Sequence, residues 1–210
     1  SLKRTIREIV LSRTWQLSSE GETVEIDMEN QLLSRAHRRK VDAETFRDSV
    51  LFLAGELDAE RGGAALPEGF KSEFGYQFTS LKRSIYLPVF RNQPHEIFAA
   101  FDFANPNFVV GKRSASTIPT QSLFLMNSDF IHGQAEAAAK RLLAVEAATE
   151  EERIRLAYRQ ALCREPRADE LRLSLEFLRQ EGASAGSRDA NGWTALMRTL
   201  FSCVDFQYIR

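Results

Sequence analysis

Apolar residues recur at helical spacing along most of this chain. They stand three or four residues apart, with charged residues between them, which is the pattern of an amphipathic helix. The sequence therefore predicts a mainly α protein, with helices at about 2–15, 29–38, 42–57, 94–103, 149–162, 167–182 and 193–204. A further helical stretch starts at 119, and its pattern restarts near 127–129 and continues to 144.

Local signals mark several helix ends. Side chains that accept hydrogen bonds from free backbone N–H groups are expected to cap two helices, and proline suits the first helical position. These starts are Asp42, Thr149 with Glu152 completing a capping box, Pro94 and Pro119. Gly182 is expected to end the helix before the last one, and residues 182–192 are expected to form a loop.

The helical pattern is interrupted in the centre of the chain. Residues 62–75 contain Gly and Pro and lack periodicity, which is typical of a loop. Residues 76–79 and 84–90 are rich in aromatic and β-branched residues. They favour a short two-stranded β ribbon, in which Pro88 confines the second strand to an edge.

The predicted organisation is a multi-helix, bundle-like domain. Residues 1–146 form a helical region with an irregular polar central segment at 83–130, and residues 147–210 form a C-terminal three-helix bundle. Because the connections between the last helices are short, these helices are expected to be antiparallel neighbours. The bundle is expected to pack on the first region, so that the chain is one continuous structural unit.

Length and composition limit the class of protein. With 210 residues, 43% hydrophobic residues and a formal net charge of −1, the chain can bury a core and is not built to neutralise a phosphate backbone. No apolar run approaches the ~18 residues that a membrane span needs. Because the chain opens at Ser1 directly in a helical pattern, we expect it to be a piece of a longer protein.

The strongest cluster of positive charge lies at 35–40. Its basic residues are not interleaved with aromatic residues, and the preceding stretch is acidic, which disfavours a nucleic-acid patch. We interpret the run as the solvated end of the 29–38 helix, where cations complement the helix dipole. Nucleic acid is therefore not an expected partner, and binding through this run is the least favoured hypothesis.

Cysteine and histidine spacing indicates neither a metal site nor a cofactor. Cys163 and Cys203 form no C-x-x-C pair, which excludes a four-cysteine zinc site, an iron–sulfur cluster and an attached haem. We interpret both as small buried residues and leave pairing between them open. His37, His95 and His132 lack metal-spaced partners and are interpreted as surface or structural residues. The common motifs of nucleotide-binding and hydrolytic enzymes are absent.

The segment 83–130 contains polar residues that do not follow a solvated helix face. Arginine presents a planar fork that pairs with carboxylates, sulfates and phosphates, whether these belong to a ligand or to the protein itself. Two interpretations stay open: an internal network that holds an irregular loop, for example through Asp102, and a site for an anion or a sugar. The candidate binding residues are Arg83, Tyr86, Arg91, His95, Asp102, Asn105, Arg113 and Gln121.

Several blocks of the sequence resemble a known family. They are ENQLLSR, RRKVDAETFRDSVL, FDFANPN, KRSASTIPTQSLFLMNSDF and RIRLAYRQALCREPRADEL. These blocks are similar to a C-terminal domain of unknown function in large planctomycete proteins that also carry cytochrome c modules. The resemblance implies a parent protein exported to the periplasm or cell envelope, with the haem in a separate module, and it supplies no catalytic residues. The family usually has glycine where this chain has Cys163.

Two functions are consistent with this sequence. In the first, the chain is a non-catalytic or accessory module that binds a ligand, or other domains of its parent protein, through the segment 83–130. In the second, it is a hydrolase or oxidase that acts on an anionic polysaccharide. The three arginines of the segment would position that substrate, with Asp102 or His95 as acid or base. An enzyme should bring such groups together in a concave pocket, whereas a network buries them against protein acceptors.

Overall fold

The computed structural model describes residues 1–20, 27–146, 149–185 and 190–209, with the side chains of 181–185 excepted. Within these ranges the chain forms nine α-helices and one small antiparallel sheet of two strands, which confirms the mainly α fold class. It divides into two compact units, a small one of Ser1–Val41 with Tyr208–Ile209 and a larger one of Asp42–Gln207. The predicted boundary between residues 146 and 147 stays a prediction.

The small unit begins with helix α1, Leu2–Val10. The predicted helix continued to Trp15, but Ser12 forms a turn instead. The Ser12 hydroxyl donates to the carbonyl of Ile9 (2.7 Å) and accepts from the backbone N–H of Trp15 (3.2 Å). A hydroxyl that bonds to nearby backbone competes with helical hydrogen bonds, so the helix ends at Val10.

The sheet of the small unit joins distant parts of the sequence. Strand β1 (Arg39–Lys40) pairs antiparallel with strand β2 (Tyr208–Ile209), with Arg39 opposite Ile209. A short ribbon was therefore predicted correctly as part of the fold class, but its location at 76–90 was wrong. The basic run 35–40 lies in turns and in β1 rather than at a helix end.

The predicted helix at 29–38 is absent. Asn30 is buried. Asn30 and Leu33 both have a left-handed backbone, with φ values of 54° and 55°. The Asn30 Oδ1 atom accepts hydrogen bonds from Ser34 Oγ (3.1 Å) and from the backbone N–H of Arg35 (3.3 Å). Asparagine tolerates the left-handed conformation, and its side chain replaces helical hydrogen bonds, so these residues form turns.

The larger unit is helical in most of its described residues. Its helices are α2 (Ala43–Ala54), α3 (Glu96–Ala100), α4 (Pro119–Asn127), α5 (Asp129–Ala144), α6 (Glu150–Leu162), α7 (Ala168–Ala185), α8 (Ala190–Ser202) and α9 (Val204–Gln207), with a short 3₁₀ helix at Ser84–Tyr86. No helix among the described residues is long and apolar enough to cross a membrane.

Helix α5 holds the larger unit together because it packs extensively against both α2 and α8. Its buried face carries Ala135, Ala138 and Ala139 beside Ile131 and Leu142. Small side chains let the neighbouring helices come close, and large side chains of α8 fill the remaining space at interior packing density. The buried large residues of α8 are Trp193, Leu196, Met197, Leu200 and Phe201.

Helix α2 ends against α5. Gly55 terminates α2 with a left-handed backbone (φ 78°), and a Cβ atom there would lie 3.2 Å from Cδ of Arg141. The Arg141 Nη1 atom donates to the carbonyl of Phe52 (2.9 Å) at the last turn of α2. The cation therefore caps the negative end of the α2 dipole, and glycine provides the room for it.

Most of the predicted helix starts in this unit are confirmed. Asp42 accepts from the backbone N–H of Thr45 (2.8 Å), and Thr149 accepts from that of Glu152 (3.1 Å). Pro119 is the first residue of α4. These signals succeed because a cap acts within one turn of helix.

Two helix ends differ from the prediction. Helix α3 begins at Glu96 with His95 as its N-cap, so Pro94 precedes the helix rather than opening it. Helix α7 continues through Gly182 to Ala185, and α8 begins at Ala190. The predicted loop at 182–192 is thus largely helical, and residues 186–189 lie outside the described part of the chain.

An arginine holds the connection between α6 and α7 to α9. Arg164 makes a two-pronged ion pair with Glu170 (2.6 Å for each bond) and a further bond to Oδ2 of Asp205 (2.6 Å). The hydrogen bond from Arg164 lowers the pKa of Glu170. These paired charges fix the position of the residue after Cys163.

Cys163 ends helix α6 in the left-handed conformation, with φ 54° and ψ 26°. Its side chain is exposed, so its interpretation as a buried residue was wrong, and Cys203 is only partly buried. Both thiols are free, so the two cysteines are not paired. A left-handed residue at a helix C-terminus is most often glycine, because glycine has no Cβ atom to clash there.

Replacing Cys163 with glycine is expected to stabilise the protein. Glycine removes roughly 1 kcal/mol of left-handed strain, and greater freedom in the unfolded chain offsets part of this gain. We expect the free energy of unfolding to rise by about 0.5 kcal/mol in urea denaturation. The control, Cys163→Ala, keeps the Cβ atom and should show no gain. A glycine variant no more stable than the alanine variant would contradict this account.

Candidate functional site

The chain between α2 and α3 has little regular structure. Within 55–95 the structure shows a short 3₁₀ helix and an isolated bridge between Asp58 and Lys82. Because buried backbone N–H and C=O groups need hydrogen-bond partners, this segment must find them outside regular structure. Several of its partners are side chains of α2, which replace the cross-strand bonds of the predicted ribbon.

Arg47 is the main partner of this segment. It lies on the buried face of α2 and is 1% exposed. Its Nη1 atom donates to the carbonyl of Lys82 (3.0 Å) and to Oγ of Ser84 (3.2 Å), and its Nη2 atom donates to the carbonyl of Ser80 (2.5 Å). Burial lowers the pKa of Arg47 to about 10, against a smaller opposing effect of Asp48. The guanidinium is therefore still charged at neutral pH.

Asp48, the next residue of α2, holds the same segment. Its Oδ1 atom accepts from the backbone N–H (2.8 Å) and from Oγ (2.7 Å) of Ser84 and lies 3.8 Å from Nη1 of Arg47. The candidate residue Arg83 places Nε 3.7 Å from Oδ2 of Asp48, but its side chain is 57% exposed. Such an exposed pair contributes little stability. The candidate Tyr86 is half-buried at the end of the 3₁₀ helix.

A chain of aromatic rings passes through the irregular segment. Successive ring centroids are 4.7–5.8 Å apart, which is the normal range for interacting aromatic pairs. In order of contact the rings belong to Phe70, Phe90, Phe78, His95, Phe98 and Phe103. His95 therefore joins the two halves of this aromatic chain.

The candidate residue His95 is a buried structural residue. It is 5% exposed, and its Nδ1 atom accepts a hydrogen bond from the backbone N–H of Ile97 (3.2 Å), which caps α3. Burial, and to a lesser extent the positive charge of Arg47, lower the pKa of His95 to about 4. The imidazole is therefore neutral at neutral pH.

The candidate residues Asp102 and Gln121 contact each other. Asp102 has a left-handed backbone (φ 56°), and its carboxylate accepts from the backbone N–H (2.8 Å) and Oγ (2.8 Å) of Ser116. The buried Gln121 places Nε2 3.4 Å from Oδ2 of Asp102. The carboxylate thus ties residue 102 to the start of α4.

The candidate residue Arg113 is held by α2. It forms a two-pronged ion pair with Glu44, at 2.8 and 2.9 Å, and its guanidinium carbon lies 4.8 Å from the ring centroid of Phe103. The hydrogen bond from Glu44 raises the pKa of Arg113. Arg113 thus pairs with Glu44 of α2. Asp102, the carboxylate suggested for an internal network, is bound by Ser116 instead.

A groove of about 250 Å³ lies beside α3. Its apolar wall includes Phe98 and Phe103, and its polar residues are Arg91, Asn105 and Asn107. Asn105 Oδ1 accepts from the backbone N–H of Asn107 (2.9 Å), and Asn107 Nδ2 donates to the carbonyl of Arg91 (3.2 Å). The guanidinium of Arg91 is exposed and makes no hydrogen bond or ion pair with the residues that the structure describes.

The candidate residues therefore occupy different environments. Arg91 and Asn105 share the groove, Asp102 and Gln121 share a hydrogen-bonded group with Ser116, and the others lie in separate contacts. Sequence reasoning missed Arg47, although a signal was present. Arg47 stands four residues after Ala43 and four before Leu51, inside the apolar stripe of α2.

Metal ligands do not converge in the described part of the chain. No group of three or more His, Cys, Asp or Glu side chains lies close enough together to hold a metal ion there. The chemistry that the site supports is that of arginine and amide groups beside an apolar wall.

Replacing Arg47 with methionine should strongly destabilise the protein. The variant removes a buried charged donor and leaves three oxygen acceptors without it, so the free energy of unfolding should fall by about 3–5 kcal/mol. Arg83→Met, which removes the exposed partner of Asp48, should cost less than about 1 kcal/mol. Urea denaturation of both variants measures the difference, and equal losses would show that Arg47 does not organise the segment.

His95 should make stability depend on pH. Because its pKa is about 4 in the folded protein and about 6.5 when unfolded, the unfolded chain binds more protons between these values. Stability is therefore full above pH ~6.5 and falls as the pH drops towards ~4, by up to roughly 3 kcal/mol. His95→Asn keeps a cap acceptor and removes the titrating group. The difference in unfolding free energy between wild type and this variant should shrink from pH 7.5 to pH 4.5, and a constant difference would contradict the assignment.

The comparisons with known proteins identify one family. No curated protein and no solved structure matches the chain. A family model described as PSD1, protein of unknown function (DUF1553), matches residues 1–178, which run from α1 into α7. This match confirms the resemblance to a domain of unknown function. The chain belongs to the PSD1 family (DUF1553).

Proposed function

We propose that this chain is a non-catalytic, accessory module of a larger cell-envelope protein associated with cytochrome c modules, and that it binds an anionic ligand in the groove beside Arg91. The observation that carries the proposal is the exposed guanidinium of Arg91, which has no partner among the described residues and lines a groove with amide and aromatic side chains. The envelope context follows from the sequence blocks that resemble the planctomycete proteins.

The non-catalytic assignment rests on the contacts of the two candidate acid–base residues. Asp102 accepts hydrogen bonds from Ser116 and Gln121, and His95 is buried as the cap of α3. A general acid or base must reach the proton that it transfers. Their contacts maintain the fold, which favours binding over hydrolysis or oxidation.

The ligand class follows from the groove. A guanidinium fork pairs well with a carboxylate or sulfate, and the side chains of Asn105 and Asn107 add amide groups that can bond to hydroxyls. Ligand pockets usually measure about 300–1,000 Å³. The groove, at about 250 Å³, lies just below that range and suits one sugar unit of a polymer. An acidic glycan, such as one containing uronic acid, meets these requirements, as would a carboxylate from a neighbouring domain of the parent protein.

Calorimetric titration with an oligomer of galacturonic acid tests the proposal. Wild type should bind the acidic oligomer and not a neutral glucose oligomer. Arg91→Ala should weaken binding roughly 10-fold to 100-fold, because a hydrogen bond to a charged group contributes about 1.5–3 kcal/mol. Arg61→Ala, which removes an exposed arginine of a loop outside the groove, is the matched control and should bind like wild type.

Three outcomes would contradict the proposal. If Arg91→Ala and Arg61→Ala bind the acidic oligomer equally well, the binding site does not lie in the groove. If wild type binds the neutral oligomer as tightly as the acidic one, charge plays no part in recognition. New reducing ends in the acidic oligomer after incubation with wild type would replace the accessory function with hydrolysis.

A further inference from the structure

A loop of the larger unit is closed at its base and apolar at its tip. It covers residues 103–115, between Asp102 and Ser116, which are joined by hydrogen bonds of 2.8 Å from the N–H and Oγ of Ser116 to the Asp102 carboxylate. At the tip, Phe108, Val109 and Val110 are consecutive and are 72%, 104% and 42% exposed.

The loop is anchored on both sides of this tip. Before it, Asn107 donates to the carbonyl of Arg91 (3.2 Å). After it, Arg113 is held by Glu44 at 2.8 and 2.9 Å and lies over the ring of Phe103. These contacts hold the base against the body of the protein while the apolar tip stays in solvent. Exposed apolar groups in such an arrangement mark an interaction surface.

The loop and the residues after it carry positive charge only, although Glu44 of α2 pairs with Arg113. Residues 103–128 include Lys112 and Arg113 and no Asp or Glu. Lys112 is exposed and makes no ion pair with the described residues. The same stretch exposes further large apolar side chains at Ile118, Leu123 and Met126, which are 46%, 56% and 65% exposed. An apolar tip beside the exposed cation of Lys112 complements a surface that has anionic groups outside and an apolar layer beneath them.

We propose that the tip of this loop inserts into an anionic lipid surface. Phe108, Val109 and Val110 would enter the boundary between headgroups and acyl chains, and Lys112 would lie among the anionic headgroups. Three consecutive exposed apolar residues make a convex tip, which a rigid protein surface covers only with a matching socket. A fluid lipid surface closes around such a tip without one. The contact is weak and reversible, because a single loop buries little apolar area.

Vesicle co-sedimentation tests this surface. The probes are vesicles of phosphatidylcholine alone and vesicles of phosphatidylcholine with about 30 mol% of the anionic lipid phosphatidylglycerol. Wild type should sediment with the anionic vesicles and weakly or not at all with the neutral ones. The double variant Phe108→Ser, Val109→Ser should bind the anionic vesicles at least ~10-fold more weakly. Lys112→Gln should lose roughly 5-fold, the effect of one cation near the surface.

A matched control separates the tip from apolar exposure in general. Phe52 and Leu173 are 63% and 53% exposed on α2 and α7, and the double variant Phe52→Ser, Leu173→Ser should bind like wild type. With anionic vesicles, the tryptophan fluorescence of Val109→Trp should shift further to shorter wavelength than that of wild type, whose emission comes from Trp15 and Trp193. The difference between the two shifts reports insertion of the tip. Thermal melting of each variant confirms that it is folded.

Several outcomes would overturn the proposal. Wild type that stays in the supernatant with both kinds of vesicle would exclude the lipid surface, as would equal binding by the tip variant and its control. Self-association that depends on Phe108, in sedimentation velocity without lipid, would assign the tip to a second copy of this chain instead. These variants leave the groove residue Arg91 unchanged. A failure to bind vesicles would therefore not count against glycan binding in the groove.

Discussion

The buried guanidinium of Arg47 is the interaction on which the irregular segment of the larger unit depends. Removing a cation from water is expensive, and the cost is recovered only where good hydrogen-bond acceptors surround it. Arg47 meets three such oxygens, on Ser80, Lys82 and Ser84, and an aspartate in the next position. The irregular segment must therefore adopt the one path that brings these oxygens to α2. These contacts give a defined conformation to a segment that has almost no regular secondary structure.

This constraint also determines which residues are available for binding. Three charged groups near the groove and the irregular segment have protein partners: Asp48 with Ser84, Asp102 with Ser116 and Arg113 with Glu44. Each of these pairs positions the backbone that carries the groove and the apolar loop. The groove and the loop then present Arg91 and Lys112 on backbone that these contacts hold in place. Stiffness of this kind is useful in a binding module, because little conformational freedom is lost when a ligand arrives.

The sequence correctly predicted those helix ends that depend on groups within one helical turn. Asp42 and Thr149 mark helix starts correctly because the N–H groups that they satisfy are three residues away. Pro119 does so because its fixed φ and missing N–H suit the first helical position. Asn30 shows the limit of this reasoning, since its side chain replaced a helix that the apolar spacing favoured. The ribbon failed for a different reason. The bonds that displaced it join residues 33–37 positions apart, and Arg113 meets Glu44 over 69 positions, so neither contact is visible in a local pattern.

Helix α2 is fastened by an arginine at each end and by one in its middle. Arg113 holds Glu44 in the first turn, Arg47 holds the irregular segment at the centre, and Arg141 caps the last turn beside Gly55. At about 1.5 Å per residue, its 12 residues form a rod of roughly 18 Å. A shift of α2 along α5 would therefore disturb the loop 103–115, which Arg113 binds to the first turn of α2. The Arg113–Glu44 ion pair therefore links the position of the loop directly to that of α2.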